Sequence, residues 1–289
     1  MSADEPPPPV EPDVPAPPVT ARNAVRTTAL LFVAGFAGST VAAVLVGAGL
    51  VPPTSTSVSW WLGLVAAVDR VATTLAVVAL AIALARLQGV SPTDLGLRRP
   101  PTGGLRREVN LVALTLVTGF VMSVVMVWGF GSRGYVFPSG GGALAMVAAG
   151  AMAGPIEEIA LLAVPVTLHR LAGLPWGRTV AVMVVLRTVY HLYYGWAGLA
   201  TALFAAVMLI AYRRTGRALP LVVGHSLWDL LGIASNYGSA GLRGLLVLLL
   251  LTGLTMLAVV DLVHWLGRRH PHRLDQVDQV DRVAPDVSP

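Results

Sequence analysis

The chain contains no cysteine, no lysine, and little charge of either sign. Without cysteine there can be no disulfide, no thiolate metal site and no thiol nucleophile. Charged residues make up 12% of its 289 residues, about half the share found in ordinary soluble domains. That scarcity excludes a water-soluble enzyme with a charged shell, and the 55% hydrophobic content excludes a disordered chain. The isoelectric point near 10.2 could point to nucleic acid. However, all 20 basic residues are Arg, spread singly or in pairs rather than along one face. The bias toward Ala, Val, Gly, Pro and Arg fits GC-rich coding and a bacterial source. With a mean hydropathy of +0.72, the sequence reads as a polytopic membrane protein.

A helix needs roughly 20 mostly apolar residues to cross a hydrocarbon core about 30 Å thick. Such runs occur at 27–50, 60–85, 109–130, 143–168, 179–195, 197–212, 219–235 and 242–266. The expected architecture is therefore all-α, with eight transmembrane helices in a membrane domain spanning 22–267. Cytoplasmic loops are enriched in basic residues, and the Arg positions alternate accordingly. With the N-terminus inside, sixteen Arg fall in cytoplasmic segments and only Arg133 and Arg243 in the opposite loops. Both termini are thus expected in the cytoplasm, with the protein integral to the inner membrane of the cell. Residues 1–21 hold eight Pro and four acidic residues and read as a disordered, Pro-rich tail. Residues 268–289 read as a polar tail. No internal linker is long enough to hide a soluble domain.

A charge at the bilayer centre costs about 2.5–3.5 kcal/mol, so each one needs a reason. The candidates are Asp69 and Arg70, Glu157 and Glu158, Arg187 and His191, and His225 and Asp229. At the helical rise per residue, Glu158 lies roughly 18 Å from the cytoplasmic edge and His191 roughly 20 Å. His225 and Asp229 lie roughly 12 and 18 Å in and share a helix face. Three spans therefore bring carboxylates and imidazoles to similar depth. Taken singly, His191 would be read as an interhelical hydrogen bonder, and His225 with Asp229 as a local side-chain pair. Asp69 and Arg70, adjacent and on different faces, are expected to play structural parts. Tyr190, Tyr193, Tyr194 and Trp196 read as an interfacial aromatic belt.

One Glu with two His matches many catalytic zinc sites, so a metal-dependent route would use Glu157, His191 and His225. The same residues can also work without metal, Glu157 deprotonating water while imidazole stabilises an oxyanion. Either route hydrolyses a carbonyl, most simply that of a peptide. The cofactor expected is thus one divalent metal, zinc first, or none. The sequence has no His-Glu-x-x-His, no Gly-x-Ser-x-Gly and no Gly-rich phosphate loop.

Glu157-Glu158, His191 and the run His225-Ser-Leu-Trp-Asp229 resemble, in order and spacing, three motifs of the CAAX protease and bacteriocin-processing family (CPBP, or Abi). In words these are Glu-Glu-x-x-x-Arg, Phe-x-x-x-His and His-x-x-x-Asn/Asp. The element Asp94-Leu-Gly-Leu97 is similar as well, so the resemblance covers roughly 90–235. It implies an eight-helix intramembrane protease similar to the type II CAAX prenyl endopeptidase. Glu157 and His191 would activate water, Glu158 would support them, and His225 and Asp229 would complete the oxyanion or metal site. The expected partners are the lipid bilayer and a membrane-bound peptide or protein substrate. Two positions depart from the pattern: Leu162 stands where the motif has Arg, and Arg187 where it has Phe. Arg187 is expected to supply, from the next span, the guanidinium that Leu162 lacks. The competing expectations are a non-catalytic scaffold or immunity-type protein of the same fold, and an ion- or proton-coupled transporter. Transport is kept open by Gly154-Pro155 and Pro165, which interrupt the fourth span.

Overall fold

The structure, a computed structural model, describes residues 19–50, 60–98, 105–131 and 142–237. Within them every regular element is helical and none is a strand. We label the helices α1 (Ala21–Gly47) and α2 (Trp60–Arg86), then α3 (Leu105–Gly129) and α4 (Leu144–Leu171). They continue with α5 (Trp176–Val189), α6 (Leu192–Thr215) and α7 (Leu219–Tyr237). Five of these, α1 to α4 and α6, are long and apolar enough to cross a membrane. The first seven expected runs each coincide with one of these helices. The eighth, 242–266, lies outside the described residues, as do Arg133, Arg243, residues 1–18 and the tail 268–289.

Helix ends follow local chemistry. Thr20 caps α1 by accepting a hydrogen bond from the Asn23 amide at 3.2 Å. Gly216 ends α6 in the left-handed conformation, φ 64°. The loop after α2 is pinned at two points. Asp94 Oδ2 accepts from the Ser91 amide at 2.8 Å and from the Ser91 hydroxyl at 2.6 Å. Gly96, at φ +68°, lies so close to the α6–α7 turn that a Cβ there would sit 2.0 Å from the Gly216 carbonyl oxygen. The Leu219 amide closes this junction by donating to the Gly96 carbonyl at 3.2 Å.

Helix α4 is the centre of the bundle. Ala160, Leu161, Leu162, Ala163 and Val164 have no exposed surface. Around it, small residues permit close approach. A Cβ on Gly119 of α3 would meet the Trp228 ring, and one on Gly154 of α4 would meet the Val222 carbonyl of α7. Helix α7 is therefore seated between α3 and α4, which fixes the direction in which His225 and Asp229 point.

Two stretches are not regular α-helix. In α4, residues Ile156–Ala163 form a π-helix, in which the Val164 amide reaches back to the Ile159 carbonyl. Pro155 and Pro165 bracket this stretch, and each removes an N–H from the α-helical ladder. The second break corrects a sequence expectation. The fifth span, expected to be continuous over 179–195, ends at Val189, and Leu192–Ala200 is a 3₁₀ segment with Gly195 at φ 61°. His191 thus lies in the junction between α5 and α6 rather than within a helix. Its amide bonds the Thr188 carbonyl at 3.0 Å instead of Arg187. The Arg187 carbonyl so released is taken up by His191 Nδ1 at 2.7 Å. Backbone inside a membrane requires such a partner, and the side chain that supplies it is one of the candidate site residues.

Candidate active site

The π-helix in α4 places two neighbouring glutamates on one side, both buried. Arg187, near the end of α5, lies between them with 2% exposure. Its Nη2 is 2.5 Å from Glu158 Oε1 and 3.2 Å from Glu157 Oε2, and its Nη1 donates to Glu158 Oε2 at 3.2 Å. Leu162, where the resemblance places an Arg, has no exposed surface and belongs to the apolar core. The guanidinium that meets the glutamates here comes from α5.

His225 of α7 adds the third wall. Its Nδ1 is 2.7 Å from Glu158 Oε1; since a carboxylate only accepts, the proton sits on Nδ1. Nε2 then faces Glu157 Oε2 at 4.0 Å and Asp229 Oδ2 at 3.9 Å. The Phe204 ring of α6 meets the imidazole edge-on at 4.9 Å and lies 5.8 Å from the Arg187 guanidinium carbon. His191 donates from Nδ1 to the Arg187 carbonyl, because a carbonyl can only accept. Its Nε2 therefore carries a lone pair and is the basic atom.

These groups line one cavity of about 500 Å³. Glu157, Arg187, His191, His225 and Asp229 all reach it, whereas Glu158 is fully buried behind them. Leaving either glutamate buried without a partner would cost several kcal/mol. Arg187, the Tyr190 hydroxyl and His225 remove that cost between them.

Three placements differ from the sequence reading. Tyr190, assigned to an aromatic belt, is buried and donates to Glu157 Oε2 at 2.6 Å. Tyr193 and Tyr194 line the cavity, and of the four aromatics only Trp196 is exposed. The break after Val189 turns these tyrosines inward. Asp69 and Arg70, expected to seek different partners on different faces, line this same cavity from α2. Sequence reasoning gave Tyr190 no part in the site and passed over Phe204 altogether. The only signal for Tyr190 was a phenol beside a histidine at a depth where a lone hydroxyl is costly.

Glu157, His191 and His225 were also the residues for a metal. Among the described residues, no group of three or more His, Asp or Glu is arranged to hold a metal ion. The cation set against both glutamates is Arg187. His191 and His225 each donate from Nδ1 to another acceptor, which leaves Nε2 as the atom either ring could offer a metal.

Taken together, the fold and site define a helical intramembrane protein with a buried glutamate–histidine–arginine centre open to a cavity. Residues 139–231 match the family model for type II CAAX prenyl endopeptidase Rce1-like proteins. That segment is similar to the Rce1-like family, which is consistent with the resemblance to CPBP family proteases. The matched segment contains every motif residue from Glu157 to Asp229 but not Asp94–Leu97. No curated protein and no solved structure matches the chain.

Proposed function

We propose that the protein is an intramembrane endopeptidase that hydrolyses a peptide bond of a membrane-associated peptide or protein. The reading includes eight spans with both termini cytoplasmic, and a site served from the cytoplasmic side of the cell's inner membrane. The observation that carries it is the meeting of Glu157, His191 and His225, from three parts of the chain, on one cavity.

In this reading Glu157 is the general base. Tyr190 and Arg187 both bind its Oε2, so Oε1 has no hydrogen bond from a described residue and can take a proton from water. His191, held by its Nδ1, positions that water with Nε2. The hydroxide adds to the peptide carbonyl carbon, and the C–N bond breaks as Glu157 returns the proton to the leaving amine. His225, carrying a second proton on the Nε2 that faces Glu157 and Asp229, stabilises the developing oxyanion; Asp229 orients it, and Glu158 fixes Arg187 and the His225 Nδ1 proton. General acid–base groups of this kind contribute about 10²–10⁴-fold to rate. In this metal-free form of the reading chelation leaves the rate unchanged; a rate lost on chelation and restored by zinc would assign Glu157, His191 and His225 to a metal instead.

The test compares the peptides released from a membrane proteome by wild type and by Glu157→Ala. Products that disappear with Glu157→Ala, a rate loss of about 10²–10⁴-fold, support the protease. Identical peptide profiles would remove it and leave the non-catalytic scaffold of the same fold.

A further inference from the structure

The glutamates and Arg187 hold one another in place, and a second arginine reaches the same cavity from α2. Arg70, in the middle of α2, lines the cavity together with Glu157, His191 and Asp229. Its Nε is shut away from solvent without a hydrogen-bond partner. Among the described residues no hydrogen bond or ion pair reaches its guanidinium, and the adjacent Asp69, exposed on the same wall, does not pair with it. A guanidinium at membrane depth is expensive without a counter-ion, and Arg187 shows the alternative, with two carboxylates in contact. Arg also presents a planar fork of donors that matches a carboxylate in two-point fashion.

We propose that Arg70 is a specificity-determining residue that anchors a carboxylate of the bound peptide in the cavity it shares with Glu157 and His191. The proposal rests on the peptidase reading for the identity of the ligand. The carboxylate is either the chain end of the peptide or an acidic side chain. Asp69 opposes the same anion by proximity, so it weakens the anchor and narrows what binds.

The test uses the full chain in detergent and three fluorescent N-acyl tripeptides of apolar sequence. One ends in a free carboxylate, one in an amide, and one in an amide with a single Glu side chain. Wild type should bind at least one carboxylate probe roughly tenfold to a hundredfold more tightly than the neutral amide, the range of a charge-assisted hydrogen bond. The carboxylate probe that is favoured identifies the chain end or the side chain as the source. Arg70→Gln should bind the charged and neutral probes equally, Arg70→Lys should restore part of the preference, and Asp69→Asn should enlarge it. Thermal unfolding establishes that each variant is folded. If Arg70→Gln does not fold, the Arg70→Lys and Asp69→Asn affinities still decide the matter. Equal binding of all three probes by wild type, binding of none, or an unchanged preference in Arg70→Gln would overturn the anchor. Glu157→Gln separates the two ideas, because it should abolish cleavage and keep the carboxylate preference. If it cleaves like wild type, the peptidase reading fails on its own.

Discussion

Helices α1 and α4 are similar in length and apolar composition, and they meet opposite surroundings. The most apolar window of α1 has a mean hydropathy of 2.2 and is 17% buried, whereas that of α4 has 1.6 and is 67% buried. In water the more apolar helix would be the one inside. Here α1 turns Val33 and Val41 outward, and α4 carries two glutamates into the centre. Lipid is as apolar as a protein core, so apolar surface gains little by moving inward. Polar groups gain much, because only the bundle interior offers them partners. The less apolar helix is therefore the core, and its partners on α5 and α7 hold it there.

The comparison breaks most readily at Arg187. Replacing it with Leu leaves two buried glutamates without their cation, and should cost about 3–5 kcal/mol of stability, read as unfolding in mixed detergent. An unchanged midpoint together with unchanged cleavage would show that the ion pairs do not hold α4 in place. Next come the apolar positions. Leu162→Ala in the core should cost about 2–5 kcal/mol, while Val33→Ala on the lipid face should stay within about 0.5 kcal/mol. Equal losses at the two sites would erase the contrast between the helices. Tyr190→Phe removes one hydrogen bond to a carboxylate and should lower stability by about 1.5–3 kcal/mol, with slower cleavage if Glu157 loses its orientation. The smallest effect is expected outside the membrane. The Ser91 hydroxyl and amide hold the Asp94 carboxyl below its ordinary value of 3.8. The ionised form is thus favoured by folding, so this contribution is complete above that value and fades as pH falls through the lowered one. Protection of the Ser91 amide, measured as its exchange rate relative to the intrinsic rate at each pH, should fall on acidification, and in Asp94→Asn it should lose this dependence.

Much of the site was legible in the sequence because charge is conspicuous in a membrane. Glu157, Glu158, Arg187, His191, His225 and Asp229 stand out against apolar neighbours, and depth counted from the flanking Arg set them at one level. Which way each residue faces was not legible. A soluble helix shows an apolar stripe that names its inner face, but a span wetted by lipid is apolar on every side. Tyr190 was assigned to the wrong surroundings for that reason. The break after Val189 was hidden as well, because no Gly or Pro falls between Arg187 and Tyr194 to mark where the hydrogen-bond ladder stops.

What the sequence determined by itself was the solvent, the helical class and the short set of ionisable groups that need explaining. These follow from local physics: backbone hydrogen bonds in lipid must close within a helix, and a charge at depth must find a partner. The tertiary structure alone decided which partners those are. It set Arg187 between two glutamates, drew Tyr190 onto Glu157, and brought Arg70 to the cavity with no carboxylate of a described residue bonded to it. Such pairings depend on how helices far apart in sequence are rotated against one another. That rotation is fixed by close contacts such as Gly119 against Trp228 and Gly154 against Val222, which no single segment contains.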